Sequence, residues 1–116
     1  MHEVSIAFGM IDEVTRIALE NNAKKVTSIN LKIGKMSGIV TDSLKFAFDA
    51  IKLEHPLLID SEIFIEEVPL MYECKNCKNS FQTDEIYFPA CPECKSYSLK
   101  ILSGEEMNIE NLEVEV

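Results

Sequence analysis

The sequence predicts an α/β fold of the α+β kind: two helices on a small mixed three-stranded sheet, with a separate cysteine-bearing module inserted before the last strand. Three observations predict it. Two stretches repeat apolar residues at three- and four-residue steps, and three others have strand-like length and pattern. All four cysteines fall in one 21-residue window between the second strand and the third. With 116 residues and 47% apolar content, the chain can build one modest core and a satellite held by other means.

Residues 5–20 read as the first helix. Ala7, Met10, Ile11, Val14, Ile17 and Ala18 form one stripe, Ser5 is placed to cap it, and Asn21-Asn22 ends it. Residues 28–33 alternate polar and apolar up to Gly34, the pattern of a half-buried strand. Thr41 is a suitable N-cap for the second helix, and Asp42 suits its positive end. Leu44, Ala47, Phe48 and Ile51 are its apolar stripe, and His55-Pro56 stops it, since a residue before proline avoids helical angles. Residues 62–68 read as the second strand, which completes a right-handed βαβ unit. Met107 to Val116 reads as a last strand whose apolar parity switches at Asn111, where a bulge or bend is expected. Too short and apolar to stand alone, it is expected to return to the first sheet. The predicted domains are therefore residues 1–69 with 105–116, and an insertion at 70–104.

The cysteines form two pairs, Cys74-Lys75-Asn76-Cys77 and Cys91-Pro92-Glu93-Cys94, with thirteen residues between them. Each short turn brings two thiolates together and the spacer lets the turns face one another, which is what tetrahedral Zn²⁺ needs. Two local disulfides or a redox pair are the alternatives, but redox Cys-x-x-Cys motifs normally come singly beside a βαβ unit. Chains below roughly 40 residues seldom fold on burial alone. Structural zinc supplies about 10–16 kcal/mol of apparent binding energy, so the insertion reads as a zinc ribbon. Lys75, Lys78 and Lys95 are placed to soften the thiolate charge, or are ordinary solvated side chains.

Composition excludes other classes. A net charge of −9 with a single arginine, Arg16, argues against nucleic acid, whose binding rests on Lys and Arg neutralising phosphates. No charged, apolar leader opens the chain, and no apolar run nears the ~20 residues that span a bilayer. No membrane partner is expected, and reduced thiols suit the cytoplasm. No nucleophile–base spacing or phosphate-binding loop is found, so no enzyme is predicted. His55 reads as a helix-end residue and the five methionines as core filler.

A second metal-competent feature lies at the start, where His2 follows Met1. The α-amine, the His2 amide nitrogen and its imidazole Nδ1 can close two fused chelate rings in one plane, a set suited to square-planar Ni²⁺ or Cu²⁺. Glu3 is the nearest source of a fourth ligand. Taken alone, these residues describe an ordinary solvated terminus better than a metal site.

Met1-His2-Glu3, the Ile33-Gly34…Ser37-Gly38 segment, the Ser43-Leu44-Lys45-Phe46-Ala47-Phe48 helix and the paired Cys-x-x-Cys together resemble the HypA family of hydrogenase nickel-incorporation proteins, over essentially the whole chain. The resemblance implies a nickel metallochaperone for [NiFe] hydrogenase maturation. It implies a nickel site at Met1, His2 and Glu3, which makes the first domain the nickel-binding one. It also implies structural zinc at Cys74, Cys77, Cys91 and Cys94, with Ni(2+) as cargo. Implied partners are an accessory GTPase of hydrogenase maturation and the [NiFe] hydrogenase large-subunit precursor. Some members carry histidines flanking the cysteine motifs, where this chain has Lys78 and Lys95. The thirteen-residue spacer leaves no room for the insertion of certain archaeal relatives. The rival reading is a structural zinc-ribbon adaptor for protein–protein interaction without nickel transport.

Overall fold

The computed structural model describes residues 3–116. The elements run α1 (Glu3–Glu20), β1 (Lys25–Gly34), α2 (Thr41–Ile51), β2 (Glu62–Val68), β3 (Met71–Cys74), β4 (Ser80–Gln82), β5 (Leu99–Ser103) and β6 (Met107–Glu115). Two three-stranded sheets result, in the orders β2-β1-β6 and β4-β3-β5. The chain divides into two compact units, one of residues 1–32, 38–66 and 108–116, the other of residues 33–37 and 67–107.

In the first unit α1 and α2 cover one sheet. The predicted stripe of α1 is inside, with Ala7, Met10, Ile11, Val14 and Ala18 buried and Ile17 half-buried. The helix starts earlier than its sequence suggests. Glu3 opens it and Ser5 lies within the first turn, where an acidic side chain offsets the unpaired N–H groups. Its end is a Schellman cap: Asn22 takes a left-handed φ of 57°, Asn22 N–H bonds Leu19 O, and Ala23 N–H bonds Ala18 O at 3.0 Å. α2 buries Leu44, Ala47 and Phe48. Its N-cap is Val40, not Thr41, and no side chain caps it; Asp42 alone supplies first-turn charge. A 3₁₀ turn at Lys52–Glu54 follows, and His55 closes it in an extended conformation, as proline at the next position requires.

Lys24 N–H bonds Glu115 O and Thr27 Oγ1 donates to Glu113 O, so β6 lies antiparallel to the start of β1. Near the start of β1 Val26 N–H bonds Leu57 O, just ahead of β2, and further along Asn30, Leu31 and Lys32 line one groove with Phe64, Ile65 and Glu66, so β2 runs parallel to β1. The sheet is thus mixed, and Ile11, Val14, Val26, Ile29, Leu44, Phe48 and Leu58 are its core. In β6, Ile109 and Leu112 are the half-buried residues; three apart, they fit the parity switch read at Asn111. Val114 and Val116, expected on the same apolar face, are exposed.

The second unit contains three strands that the sequence did not announce. β3 pairs antiparallel with both β4 and β5. Tyr72 and Phe81 are cross-strand partners with ring centroids 5.9 Å apart, and Leu70 and Tyr72 are buried. Gly34 and Gly104 meet in this unit so closely that a Cβ on Gly34 would stand 2.0 Å from Gly104 O.

Candidate metal centre

Two short turns build the centre, and they are copies of one another displaced by seventeen residues. In the first, Lys78 N–H bonds Cys74 O at 2.9 Å and Cys74 N–H bonds Asn79 O at 2.8 Å. In the second, Lys95 N–H bonds Cys91 O at 2.9 Å and Cys91 N–H bonds Ser96 O at 2.9 Å. The residue after each second cysteine takes a left-handed φ, 66° at Lys78 and 65° at Lys95. That conformation costs a side-chain-bearing residue about 1–2 kcal/mol. It folds the backbone so that amides face the sulfurs. Cys77 N–H points at Cys74 Sγ across 3.4 Å, and the amides of Cys94 and Glu93 serve Cys91 likewise. The amides of Asn79 and Ser96 serve Cys77 and Cys94.

The turns bring all four predicted ligands together, with every Sγ within 4.8 Å of the others. Cys74 and Cys94 sulfurs are 3.5 Å apart, Cys77 and Cys91 sulfurs 3.6 Å. An ion bound tetrahedrally by four thiolates at roughly 2.3 Å has sulfur–sulfur edges of roughly 3.8 Å, so the donor set fits such an ion. Electrostatics agree. Asn76 Nδ2, 3.6 Å from Cys94 Sγ, and the Ser96 amide draw the Cys94 thiol down to about 6. The amide of Cys94 lowers Cys91. At Cys77 the Asn79 amide favours the thiolate, but desolvation and the sulfurs of Cys91, Cys94 and Cys74 outweigh it and push the thiol up to about 12. Four sulfurs this close do not all ionise without a cation between them.

Lys95 Nζ donates to Pro92 O, and Lys78 and Lys95 matter through their backbone angles. Asn76, Asn79 and Ser96 were not foreseen; the only signal was the recurrence of a polar residue two places beyond each pair. Of the predicted nickel ligands, Met1 and His2 lie outside the described residues. Glu3 is half-buried and lines a groove together with Val4, Phe8, Asp42, Phe46 and Ala50.

A small mixed sheet under two helices, together with a four-cysteine metal-binding group of zinc-ribbon type, defines the class: a small metal-handling protein. The family described as hydrogenase/urease nickel incorporation, metallochaperone, HypA matches residues 1–114, and the chain belongs to it. A hydrogenase maturation factor HypA of Prosthecochloris aestuarii is 40% identical over 116 residues, covering 99% of this chain and 100% of that one. One from Pelodictyon phaeoclathratiforme is 39% identical, covering 99% and 97%. The solution structure of the nickel metallochaperone HypA from Helicobacter pylori superposes with a TM-score of 0.70 at 27% identity, covering 99% and 98%. Among the described residues, no helix is long and apolar enough to cross a membrane.

Proposed function

We propose that the chain carries Ni(II) at its amino terminus and delivers it for maturation of [NiFe] hydrogenase, with structural zinc in the four-cysteine centre. The ligands are the Met1 α-amine, the amide and imidazole of His2, and Glu3. The observation that supports this most is the span of the family match, which takes in Met1-His2-Glu3 and both cysteine pairs. Donor chemistry supports the division of labour, because a nitrogen-rich planar set suits nickel and four thiolates suit zinc. In this reading the protein acts in the cytoplasm, receives help from an accessory GTPase, and passes nickel to the hydrogenase large-subunit precursor. It catalyses nothing itself. Residues 1–69 with 105–116 form the nickel-binding domain, and residues 70–104 a zinc ribbon inserted into it.

The test separates the amine from the side chains. A residue added ahead of Met1 converts the amine to an amide and should cripple nickel binding in calorimetry, while the same tag at the carboxyl end leaves it intact. His2→Ala should abolish specific nickel binding and leave zinc content unchanged. Nickel uptake should release protons and weaken as pH falls, since an amine near ~8 and an imidazole near ~6.5 must both be unprotonated. Equal affinities for the two tagged forms would remove the amine from the site. One zinc and no defined nickel site would favour the zinc-ribbon adaptor.

A further inference from the structure

The four cysteines are not equivalent, and their inequality is patterned. Cys74 and Cys91 are buried, whereas Cys77 is exposed and Cys94 at least partly so. Each turn therefore contributes one inner and one outer sulfur. Two close sulfur–sulfur approaches each join an outer cysteine to the inner cysteine of the other turn, Cys94 to Cys74 at 3.5 Å and Cys77 to Cys91 at 3.6 Å. With a cation between them all four sulfurs are thiolates, and reactivity then follows exposure, so an oxidant from solvent meets Cys77 and Cys94 first and finds a second thiolate behind each.

We propose that the cluster is also a peroxide-responsive switch, in which oxidation closes Cys74–Cys94 and Cys77–Cys91 disulfides between the two turns in place of the metal. The proposal rests on the reading that the cluster carries zinc. In the first step an outer thiolate attacks a peroxide oxygen, the O–O bond breaks, and the sulfur becomes a sulfenic acid while hydroxide leaves. In the second, the inner thiolate of the other turn attacks that sulfur, the S–S bond forms, and a second hydroxide leaves. Two protons from solvent turn the hydroxides to water. Each disulfide thus consumes one hydrogen peroxide and two thiolates, and two disulfides withdraw all four negative sulfurs that held the cation, which passes to water.

The pairing decides what survives. Disulfides within each Cys-x-x-Cys would leave the two turns unconnected once the ion departs. Disulfides between turns join residues 20 and 14 apart in sequence and replace the metal as the tie between them. The oxidised unit would then keep its chain path, so that reduction restores a metal site without refolding. An unfolded chain has the opposite preference, because short loops close at the lowest entropic cost.

The experiment uses the full zinc-loaded chain. Metal analysis of the untreated protein comes first; an ion other than zinc there overturns the zinc reading without touching the pairing. Hydrogen peroxide is then added with a chromophoric zinc chelator present, remaining thiols are alkylated, and disulfides are mapped by mass spectrometry of peptides. Expected are zinc release in step with thiol loss, a map dominated by Cys74–Cys94 and Cys77–Cys91, and recovery of zinc binding after dithiothreitol. The same oxidation of metal-stripped chain in urea should favour Cys74–Cys77 and Cys91–Cys94. Pairs within the motifs as the majority in the folded protein, sulfinic or sulfonic acids at Cys77 and Cys94 without disulfides, or bridges between chains would each overturn the switch.

Discussion

The two units of this chain are held by different means. In the first, Ile11, Val14, Ile29, Leu44, Phe48 and Leu58 are fully buried and aliphatic or aromatic. In the second the fully buried side chains are Leu70, Cys74 and Cys91, and two of those three are metal-type donors. Burial at about 25 cal/mol per Å² sustains the former. The latter buries less, and in the function proposed above it depends on what its sulfurs bind.

The comparison can be broken from the metal side first. Cys91→Ala should abolish metal binding and the order of residues 67–107, seen as lost amide protection there, while the helical circular dichroism of the first unit persists; loss of everything in one transition would make the units a single cooperative body. The next largest effect comes from the other side. Phe48→Ala should destabilise the first unit by about 3–5 kcal/mol in denaturant titration, through lost contacts and a cavity, with metal content unchanged.

Gly104→Ala sharpens the comparison without touching a ligand. Gly104 has φ +117°, and a Cβ there would meet Leu70 Cα at 2.9 Å. The strain, about 1–3 kcal/mol, should fall on the second unit and weaken its metal affinity by less than Cys91→Ala does. The smallest effect belongs to α1. The hydrogen bond from Arg16 holds Glu13 below the ordinary carboxylate range. A depressed folded pKa means its contribution is complete above the unfolded value and disappears as pH falls through the folded one. Glu13→Gln should therefore lower the melting temperature slightly at neutral pH, and the gap from the native chain should close on acidification.

Periodicity made the first unit legible. The stripes of α1 and α2 and the span of β2 could be read directly, because each records a face turned from water. The caps could not. Ser5 and Thr41 are good capping types, yet Glu3 and Val40 stand at the starts, since a cap is chosen by chain path as much as by residue type. The ligand set was legible from cysteine spacing alone. Its supporting shell was not, because backbone amides leave no mark in a sequence and the left-handed positions fall on lysines instead of glycines. β3, β4 and β5 were missed because three to five residues are too few to show a period.

The repetition of one turn at a seventeen-residue offset bears on how the centre fills with time. Each turn is closed by its own hydrogen bonds, Lys78 to Cys74 and Lys95 to Cys91, and presents two sulfurs by itself. An arriving ion need encounter only one turn to be held by two ligands. The second turn then competes for the remaining positions as an intramolecular donor, at an effective concentration on the order of millimolar. Capture should accordingly be biphasic, a bimolecular step that scales with ion concentration followed by a closure that does not, and departure should run through the same half-held state.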